Sequence, residues 1–443
     1  MFIKIILTST LLLNTTLTAD YLLTQSKRVP SKIDNMPKNV VADMFTIPQN
    51  LAYYAKQIKP FSKSRQKQLD TQFNLKYFKP WHISNIDIPA KDFGWEIRFI
   101  QKKPIYTENG NVIPASTYNT WLQNENYDAL QSKNYKAITI KRTNVKALPT
   151  STAFYRDPKK TGEGFPFDYN QNSALHINVP LLISHFSQDK RWAFVQASYS
   201  FGWVKTSDLA VVSNQFIKTF QNGKYGMVIK DNLRLYDEKR KPLSLVKLGA
   251  LFPLGKKAHT YLVAKRGPKG QASIHTVQTT NPYYIVKKPL AFTPNNVALL
   301  AKEFYNEPYG WGGSYGCRDC SATTRDFLGP FGIFLHRNSS KQAQDGSTVS
   351  IQGLPTAIKK QTIIAKAEPF RSLLYVPGHI VLYLGEYQGE PVIMHTYWGV
   401  RKNDGSKLIT GRTIITTTEP GKERADVRER SKLIHTLKSV VNF

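Results

Sequence analysis

Both cysteines of the chain, Cys317 and Cys320, lie in the glycine-rich stretch YGWGGSYGCRDCS (309–321). Two thiols at this spacing can form a redox dithiol, supply half of a tetrahedral zinc site, or provide one nucleophile beside an unrelated neighbour. A zinc site would need two histidines as its other ligands, because the 443-residue chain has no further cysteine. The glycines would permit a disulfide, so the cysteines alone do not decide between the three chemistries.

The residues that follow Cys320 predict a short helix that begins at this cysteine. SATTRDFL (321–328) allows about two helical turns before Gly329 and Pro330 end the helix, and Asp319 is a suitable N-cap. At a helix N-terminus the free backbone N–H groups and the helix dipole stabilise a thiolate. We therefore expect a lowered pKa for Cys320, and the same N–H groups could hold an oxyanion.

A cysteine nucleophile needs a base, and two histidines lie in a predicted β-hairpin. HIVLYLG (379–385) and PVIMHTYW (391–398) read as strands joined by EYQGE. A turn centred near residue 387 or 388 places His379 and His395 on the same face, within roughly 8 Å of each other. His379 could be the base and His395 could orient its imidazole, as the third member of a triad does.

The combination of Cys320 with these two histidines accounts for more residues than a redox pair or a zinc site. A single histidine beside a strand is usually structural, and we assign His336 to that class because it lacks a paired partner. Cys317 then has no role in the chemistry. A disulfide between Cys317 and Cys320 would block the nucleophile and is expected to be at most an inactive form.

The first twenty residues resemble a secretory signal peptide. They have an early cation at Lys4, a short apolar stretch and small residues before Ala19. We predict cleavage after residues 1–19, with the mature chain beginning near Asp20. The apolar stretch is too short and too polar to span a bilayer comfortably, and no later segment qualifies, so an exported soluble protein is expected.

The mature chain divides into four parts by its sequence texture. Residues 20–135 mix polar helical stretches with aromatic clusters, and no chemistry can be assigned to them. Short alternating runs bounded by turn residues then predict two small antiparallel barrels, at 136–213 and 214–287. A helix start in FTPNNVALLAKEFYN (292–306) marks a last domain at 288–443, which contains the cysteines and the histidine pair.

The charge balance suggests an anionic partner. Lys and Arg outnumber Asp and Glu by 61 to 31, and the excess is spread along the chain. Such a field suits a polyanion, and for an exported protein the acidic peptides of a cell wall or an anionic membrane surface are better candidates than nucleic acid. A proteome that is basic throughout would give the same balance. Two cysteines are too few for a disulfide framework, so the domains need ordinary cores.

The motifs together resemble the NlpC-type cell-wall endopeptidases, which are cysteine peptidases with a papain-like core. The resemblance rests on YGWGGSYGCRDCSATTRDFLGPFGIFLHRNSSKQ (309–342), PGHIVLYLG (377–385) and MHTYWG (394–399). The two barrel blocks resemble bacterial SH3-like domains. The fold that this resemblance implies is an α+β multidomain protein with a helical N-terminal region, two SH3-like β-barrels and a C-terminal papain-like domain.

By this resemblance Cys320 is the nucleophile, His379 the base and His395 the orienting residue. Asp319 and Ser321 match positions that bind the free amine of the substrate's leading L-alanine, although helix capping would explain them equally well. An aromatic residue of the first SH3-like domain lines the cleft in relatives, which makes Tyr155 a candidate, although loop packing would explain it too. The resemblance also extends to RNSS and Gln342, for which a structural or cleft-edge role is expected.

The activity that the resemblance implies is hydrolysis of the bond between γ-D-glutamate and a diamino acid, usually diaminopimelate, in peptidoglycan stem peptides. No metal or cofactor is required, and a periplasmic or cell-wall location is expected. The main alternative is an inert protein that holds cell wall with its SH3-like pair. A Cys-His-His acyltransferase acting on lipids and a thiol oxidoreductase fit the sequence less well, and the oligomeric state does not follow from it.

Overall fold

The computed structural model describes residues 40–443, and the predicted signal peptide at 1–19 lies outside the described residues. The chain combines helices and antiparallel sheets in the α+β arrangement expected from the sequence, which confirms the predicted fold class. The helices of the described part are α1 Asp43–Thr46, α2 Leu51–Ala55, α3 Lys63–Phe78, α4 Trp95–Lys102, α5 Ala115–Asn124, α6 Asn214–Phe220, α7 Pro294–Lys302, α8 Cys320–Leu328, α9 Ser339–Gln342, α10 Thr356–Lys366 and α11 Leu433–Thr436.

The N-terminal helices extend across the other domains instead of forming a separate core. Helices α1 and α2 pack on the C-terminal domain, where the buried Asp43 carboxylate accepts hydrogen bonds from the backbone N–H and the hydroxyl of Thr417, both at 2.8 Å. Helix α3 carries Phe73 and Tyr77 into the core of the first barrel. Just beyond α3, the fully buried Trp81 donates its indole N–H to the carbonyl of Ala137 at 2.8 Å.

The first SH3-like barrel is a seven-stranded sheet in the order β3-β2-β6-β5-β4-β1-β7. Alternating apolar residues fill its interior, as the sequence pattern requires of a half-buried strand. Its long excursion between β2 and β3 reaches toward the C-terminal domain. The strands are β1 Tyr135–Thr139, β2 Thr143–Lys146, β3 Gln171–Leu175, β4 Pro180–Phe186, β5 Trp192–Ala197, β6 Phe201–Lys205 and β7 Leu209–Val211.

The second barrel follows α6 and consists of two small sheets with a shared core. One sheet has the order β10-β9-β13-β12 and the other the order β11-β8-β14. The strands are β8 Tyr225–Val228, β9 Leu233–Tyr236, β10 Pro242–Val246, β11 Leu251–Pro253, β12 Tyr261–Arg266, β13 Ala272–Thr279 and β14 Ile285–Lys287.

The C-terminal domain is a six-stranded antiparallel sheet in the order β15-β20-β16-β17-β18-β19, with α7 and α8 packed near one end. Apolar side chains of α7, α8 and the sheet form one core that α2 completes. The strands are β15 Ser347–Ser350, β16 Ser372–Val376, β17 His379–Tyr387, β18 Glu390–Arg401, β19 Lys407–Thr417 and β20 Ser439–Asn442. Within residues 40–443 no helix is long and apolar enough to cross a membrane.

Replacement of Trp81 tests how strongly the N-terminal region is fixed to the first barrel. We expect Trp81→Phe to lower the free energy of unfolding by about 2 kcal/mol, because the exchange removes buried ring volume and the hydrogen bond to Ala137. Trp121→Phe is the matched control, since Trp121 is half-buried against Phe154 in the same region. Urea unfolding followed by fluorescence measures both, and equal losses in the two variants would contradict the assignment.

Candidate active site

The glycine-rich segment that precedes the cysteines passes directly against the first SH3-like barrel. Gly312 and Gly313 have φ values of +58° and +84°, in the left-handed region. A Cβ atom at Gly312 would collide with the backbone carbonyl of Gln171, while the Gln171 side chain donates to the Gly312 carbonyl at 3.0 Å. Arg142 donates to the Gly313 carbonyl at 2.6 Å. Only a residue without a side chain fits this approach, so the barrel fixes the loop that leads to Cys320.

Asp319 forms the N-cap of α8, as the sequence predicts. Its Oδ1 accepts from the backbone N–H of Ala322 at 3.0 Å and from the hydroxyl of Ser321 at 3.3 Å. Its Oδ2 accepts from the backbone N–H of Gly312 at 3.0 Å and from Nη2 of Arg337 at 2.6 Å. Four donors occupy the roughly four lone-pair positions of a carboxylate. The arrangement holds the helix start, the glycine loop and Arg337 together.

Cys320 begins α8 and is only 9% exposed. Burial, together with the neighbouring negative charge of Asp319, raises the pKa of Cys320 to about 12. The expectation of a lowered pKa is therefore wrong for the free protein. The helix position, hydrogen bonding from the backbone N–H of Ile380 and the positive charge of Arg337 favour the thiolate, but they do not offset its loss of hydration. Cys320 is therefore a neutral thiol at neutral pH.

The predicted hairpin is present, and a β-bulge brings its two histidines to one face. Next to the turn, Tyr387 pairs with Glu390 and Gly385 with Val392, but beyond the bulge Leu382 pairs with Met394. The bulge lies at Leu384 and shifts the pairing by one residue. Without it the register of the turn would put His379 and His395 on opposite faces, because side chains alternate along a strand. The sequence analysis reached the right face without this bulge.

The two histidines are hydrogen-bonded in a chain that ends on a threonine. His379 Nε2 lies 3.2 Å from His395 Nδ1, and His395 Nε2 lies 3.1 Å from Thr416 Oγ1. Thr416 donates its hydroxyl hydrogen to the carbonyl of Thr417 at 2.7 Å, so its oxygen can only accept from His395.

The direction of these hydrogen bonds assigns both tautomers. His395 carries its proton on Nε2 and accepts on Nδ1, and His379 therefore donates from Nε2. Nδ1 of His379 is left with a free lone pair. The backbone N–H of Ile380, the residue after His379, points at the Cys320 sulfur. The thiol therefore lies at the end of β17 that carries His379. The arrangement leaves an unprotonated ring nitrogen of His379 at the end of β17 where the Cys320 thiol lies.

Both imidazoles are neutral. Burial lowers the pKa of His379 to about 4, and the nearby Asp319 charge compensates only in part. The pKa of His395 lies well below its ordinary value because of burial and the proximity of His379. A shared hydrogen bond between two rings requires one of them to accept, which is possible only when that ring is unprotonated. The hydrogen bond therefore requires His395 to be neutral, and it leaves His379 able to take a proton on Nδ1.

Arg318, between the two cysteines, connects the site to the second SH3-like barrel. Its side chain is 4% exposed and pairs with Asp231 of that barrel at 2.8 Å. It also pairs with Glu307 at 2.9 Å and with Asp326 on α8 at 2.7 Å. Three carboxylates surround one guanidinium, so the backbone between Cys317 and Cys320 is fixed from both domains.

Aromatic side chains form a wall beside Cys320. Burial raises the pKa of Tyr309 well above its usual value, and the negative charges that Asp319 and Cys320 can carry raise it further. The Tyr309 hydroxyl therefore lies near both groups. Phe167, from the long β2–β3 excursion of the first barrel, lies 5.6 Å from Trp398 and 5.2 Å from Trp311, ring centre to ring centre. The first barrel thus adds a ring to the aromatic cluster that includes Tyr309.

The other candidate residues take different places. Tyr155 is 2% exposed and packs away from solvent, with Asp168, Glu108 and Tyr315 as its electrostatic neighbours. Ser321 is buried and receives a hydrogen bond from Arg337 at 2.7 Å. The structure brings Asp319, Ser321, Cys320, His379 and His395 together, and it places Tyr155 in a packed position instead of an open cleft.

Residues with expected structural roles are hydrogen-bonded within the protein. His336 lies 2.6 Å from Asp345, and the buried Gln342 donates to the carbonyl of Ser321 at 2.8 Å. Cys317 and Cys320 are both free thiols. In the described part of the chain, no three His, Cys, Asp or Glu side chains are grouped to hold a metal ion.

The sequence analysis missed Thr416 and Arg337 as parts of the site. Thr416 lies in β19, one strand beyond the hairpin, and two further threonines follow it directly in the sequence, so no local pattern distinguishes it. Arg337 belongs to the RNSS motif that was noted without a specific role. Its link to Asp319 depends on a turn that the spacing of residues does not reveal.

Exchanges at Thr416 test the tautomer assignment. We expect Thr416→Val to leave the Nε2–H of His395 without its acceptor, so that the fixed tautomers of both histidines are lost. Nitrogen-15 NMR of the histidine side chains measures this directly. Thr416→Ser keeps the hydroxyl and should retain the wild-type pattern, with protonated Nε2 and unprotonated Nδ1 on both rings. An unchanged spectrum in Thr416→Val would refute the assignment.

Comparison with known proteins gives three family matches and a related structure. The chain matches the NLPC_P60 stabilising domain, N term, over residues 7–130. It matches the SH3 domain of SH3b1 type over 153–205 and the SH3 domain of SH3b2 type over 213–257. A search of curated proteins found no match.

Among solved structures, an NlpC/P60 endopeptidase from Photobacterium damselae subsp. piscicida is similar over 92% of this chain and 98% of its own, with 24% identity and a TM-score of 0.80. An NlpC/P60 family protein from Bacillus cereus ATCC 10987 covers 70% of this chain and 99% of its own, with 16% identity and a TM-score of 0.45. The first similarity shows a shared fold over nearly the whole chain. The chain therefore contains an NLPC_P60 stabilising domain and SH3 domains of the SH3b1 and SH3b2 types, and it shares the fold of an NlpC/P60 endopeptidase over nearly its whole length.

Proposed function

We propose that this protein is an exported peptidoglycan hydrolase that cleaves the γ-D-glutamyl–diamino acid bond of stem peptides. The observation that carries the proposal is the hydrogen-bonded chain from Thr416 through His395 to His379, which leaves Nδ1 of His379 as a base near the Cys320 thiol. The family and its SH3b domains support a cell-wall substrate, and such a substrate implies a location outside the cytoplasm.

The reaction is an acyl transfer in two steps. The Cys320 thiol gives its proton to His379 Nδ1 as its sulfur attacks the γ-glutamyl carbonyl carbon. The C–N bond then breaks, and the imidazolium returns the proton to the departing amine of the diamino acid. Water, deprotonated by the same histidine, attacks the thioester and releases the γ-glutamyl product. Backbone N–H groups at the start of α8 stabilise the oxyanion in each step.

The neutral resting pair fits this sequence of steps. A neutral thiol beside a neutral imidazole carries the same number of protons as the thiolate–imidazolium pair, so the attack needs no change in the total protonation of the site. His395 and Thr416 keep the accepting nitrogen of His379 directed at the thiol. Burial makes both charged species unfavourable until the substrate carbonyl can receive the charge.

Asp319 and Ser321 are proposed to receive the free amine of the leading L-alanine. Since four donors already fill the Asp319 carboxylate, one of them has to yield to the ammonium group. The Ser321 hydroxyl, at 3.3 Å, makes the longest of the four bonds and can rotate. Tyr155 enters the proposal only as a residue of the adjoining wall, because its side chain is almost fully buried. The positive field of the protein would attract the carboxylates of the peptide.

The second candidate function is an inert cell-wall-binding protein that uses its SH3 pair. The intact hydrogen-bonded chain behind His379 favours the enzyme. Mass spectrometry of the tripeptide L-alanyl-γ-D-glutamyl-diaminopimelate and of intact sacculi, each incubated with the protein, separates the two. Release of diaminopimelate from the tripeptide supports the hydrolase, whereas binding to sacculi without cleavage of either substrate would establish the inert protein.

Replacement of each cysteine identifies the nucleophile. We expect Cys320→Ala to reduce tripeptide cleavage at least about a thousandfold, because no other thiol can form the acyl intermediate. Cys317→Ser is the matched control and should retain activity close to that of the wild type. Circular dichroism checks that both variants fold. Loss of activity in Cys317→Ser with a folded protein would mean that both thiols take part and would support a dithiol mechanism.

The pH dependence of kcat/KM reports on His379. Its pKa of about 4 lies below the ordinary 6.5, so the base stays unprotonated down to lower pH than an exposed imidazole would. The acid limb of kcat/KM should accordingly fall near pH 4, with most of the activity retained at pH 5. The profile is measured with the tripeptide and repeated for kcat to separate substrate ionisation. An acid limb near 6.5 would show that His379 is hydrated during catalysis.

A further inference from the structure

A small cavity with a polar lining lies where the two SH3-like barrels meet the C-terminal domain. Ala322, Arg325 and Asp326 of α8 line it, and these residues point away from the side of the helix that carries Cys320. It therefore lies on the opposite side of α8 from Cys320, although Arg337 and Gly313 of the candidate active site also line it. Five cationic side chains line it, namely Arg142, Lys247, Arg318, Arg325 and Arg337.

Four carboxylates neutralise four of these five cations. Arg318 pairs with Asp231, Glu307 and Asp326, and Lys247 also pairs with Asp231 and Glu307. Arg325 pairs with Asp326 at 2.7 Å, and Arg337 pairs with Asp319 at 2.6 Å. Of these carboxylates only Asp326 lines the cavity itself. Five cations against four carboxylates leave one positive charge in excess.

The excess charge belongs to Arg142. Among the described residues no carboxylate forms an ion pair with Arg142, and one hydrogen bond to the Gly313 carbonyl uses only one of its five N–H groups. Burial and the nearby charge of Arg318 lower the pKa of Arg142, which indicates that its positive charge is poorly compensated.

A second donor in the cavity wall also lacks an acceptor. The Nε of Arg325 is buried and has no hydrogen-bond partner. Buried donors are almost always satisfied in proteins, and an unpartnered one points to a bound group that completes it. A water molecule could accept from these donors, but it would leave the excess charge uncompensated.

We propose that this cavity binds a small anion, either an inorganic oxyanion or a free carboxylate. The anion accepts from the guanidinium groups of Arg142 and Arg325, and its negative charge balances the surplus cation. Guanidinium groups bind oxyanions and carboxylates well, because their planar N–H groups match two oxygens at once. The bound anion connects the first barrel to α8 from the side opposite the nucleophile. The inference does not depend on the proposed peptidase activity.

Calorimetric titration of the full chain with sodium sulfate and, separately, with sodium acetate in a buffer low in chloride tests the site. We expect saturable binding to one site for at least one of the two anions, and the two titrations distinguish an oxyanion site from a carboxylate site. Arg142→Gln removes the surplus charge but keeps a donor for Gly313. It should weaken binding at least about tenfold.

The matched control is Lys141→Gln, which removes the same charge one residue away on an exposed side chain paired with Asp208. Its affinity should stay within about twofold of the wild type. Absence of saturable binding of both anions to the wild type, or equal affinity in Arg142→Gln, overturns the proposal. Should Arg142→Gln fail to fold, wild-type crystals soaked in selenate provide the test. Anomalous density in the cavity supports the site, and a cavity without it refutes the site.

Discussion

The buried charge of Arg318 is the interaction on which the arrangement of the domains around Cys320 depends. A guanidinium that is taken out of water needs carboxylates around it, and the loss of one partner from a buried pair typically costs about 3–5 kcal/mol. The partners of Arg318 come from the second barrel, from the segment before the glycine loop and from α8. The second SH3 domain therefore helps to hold the backbone next to Cys320.

The first SH3 domain contributes in a different way, through close packing. Gly312 approaches Gln171 with no room for a side chain, and Phe167 packs on Trp398 and Trp311 of the C-terminal domain. The result is a dry site in which neither Cys320 nor His379 is charged. Dehydration of this kind strengthens any electrostatic interaction with the transition state, since less water screens it. The same burial keeps Cys320 in its thiol form.

Local sequence patterns predicted the parts of the site that depend on nearby residues. The cap at Asp319, the helix that begins at Cys320 and the hairpin with His379 and His395 follow from spacing and residue type. The pKa of Cys320 did not follow, because the helix N-terminus is visible in the sequence whereas burial by distant segments is not. Thr416 and the partners of Arg318 were missed for the same reason. They lie far away in the chain, and many threonines and carboxylates would fit equally well on sequence grounds alone.

The bulge at Leu384 restricts how the length of this hairpin can vary in evolution. Adding or removing one residue between His379 and His395 moves one of the two side chains to the opposite face of the sheet. A single insertion or deletion would therefore separate the histidines. Two changes that compensate each other would restore them. Relatives that keep both histidines should thus differ in hairpin length by even numbers of residues, or lack the bulge where the number is odd. Chain length itself, and not only residue identity, is under selection at this position of the fold.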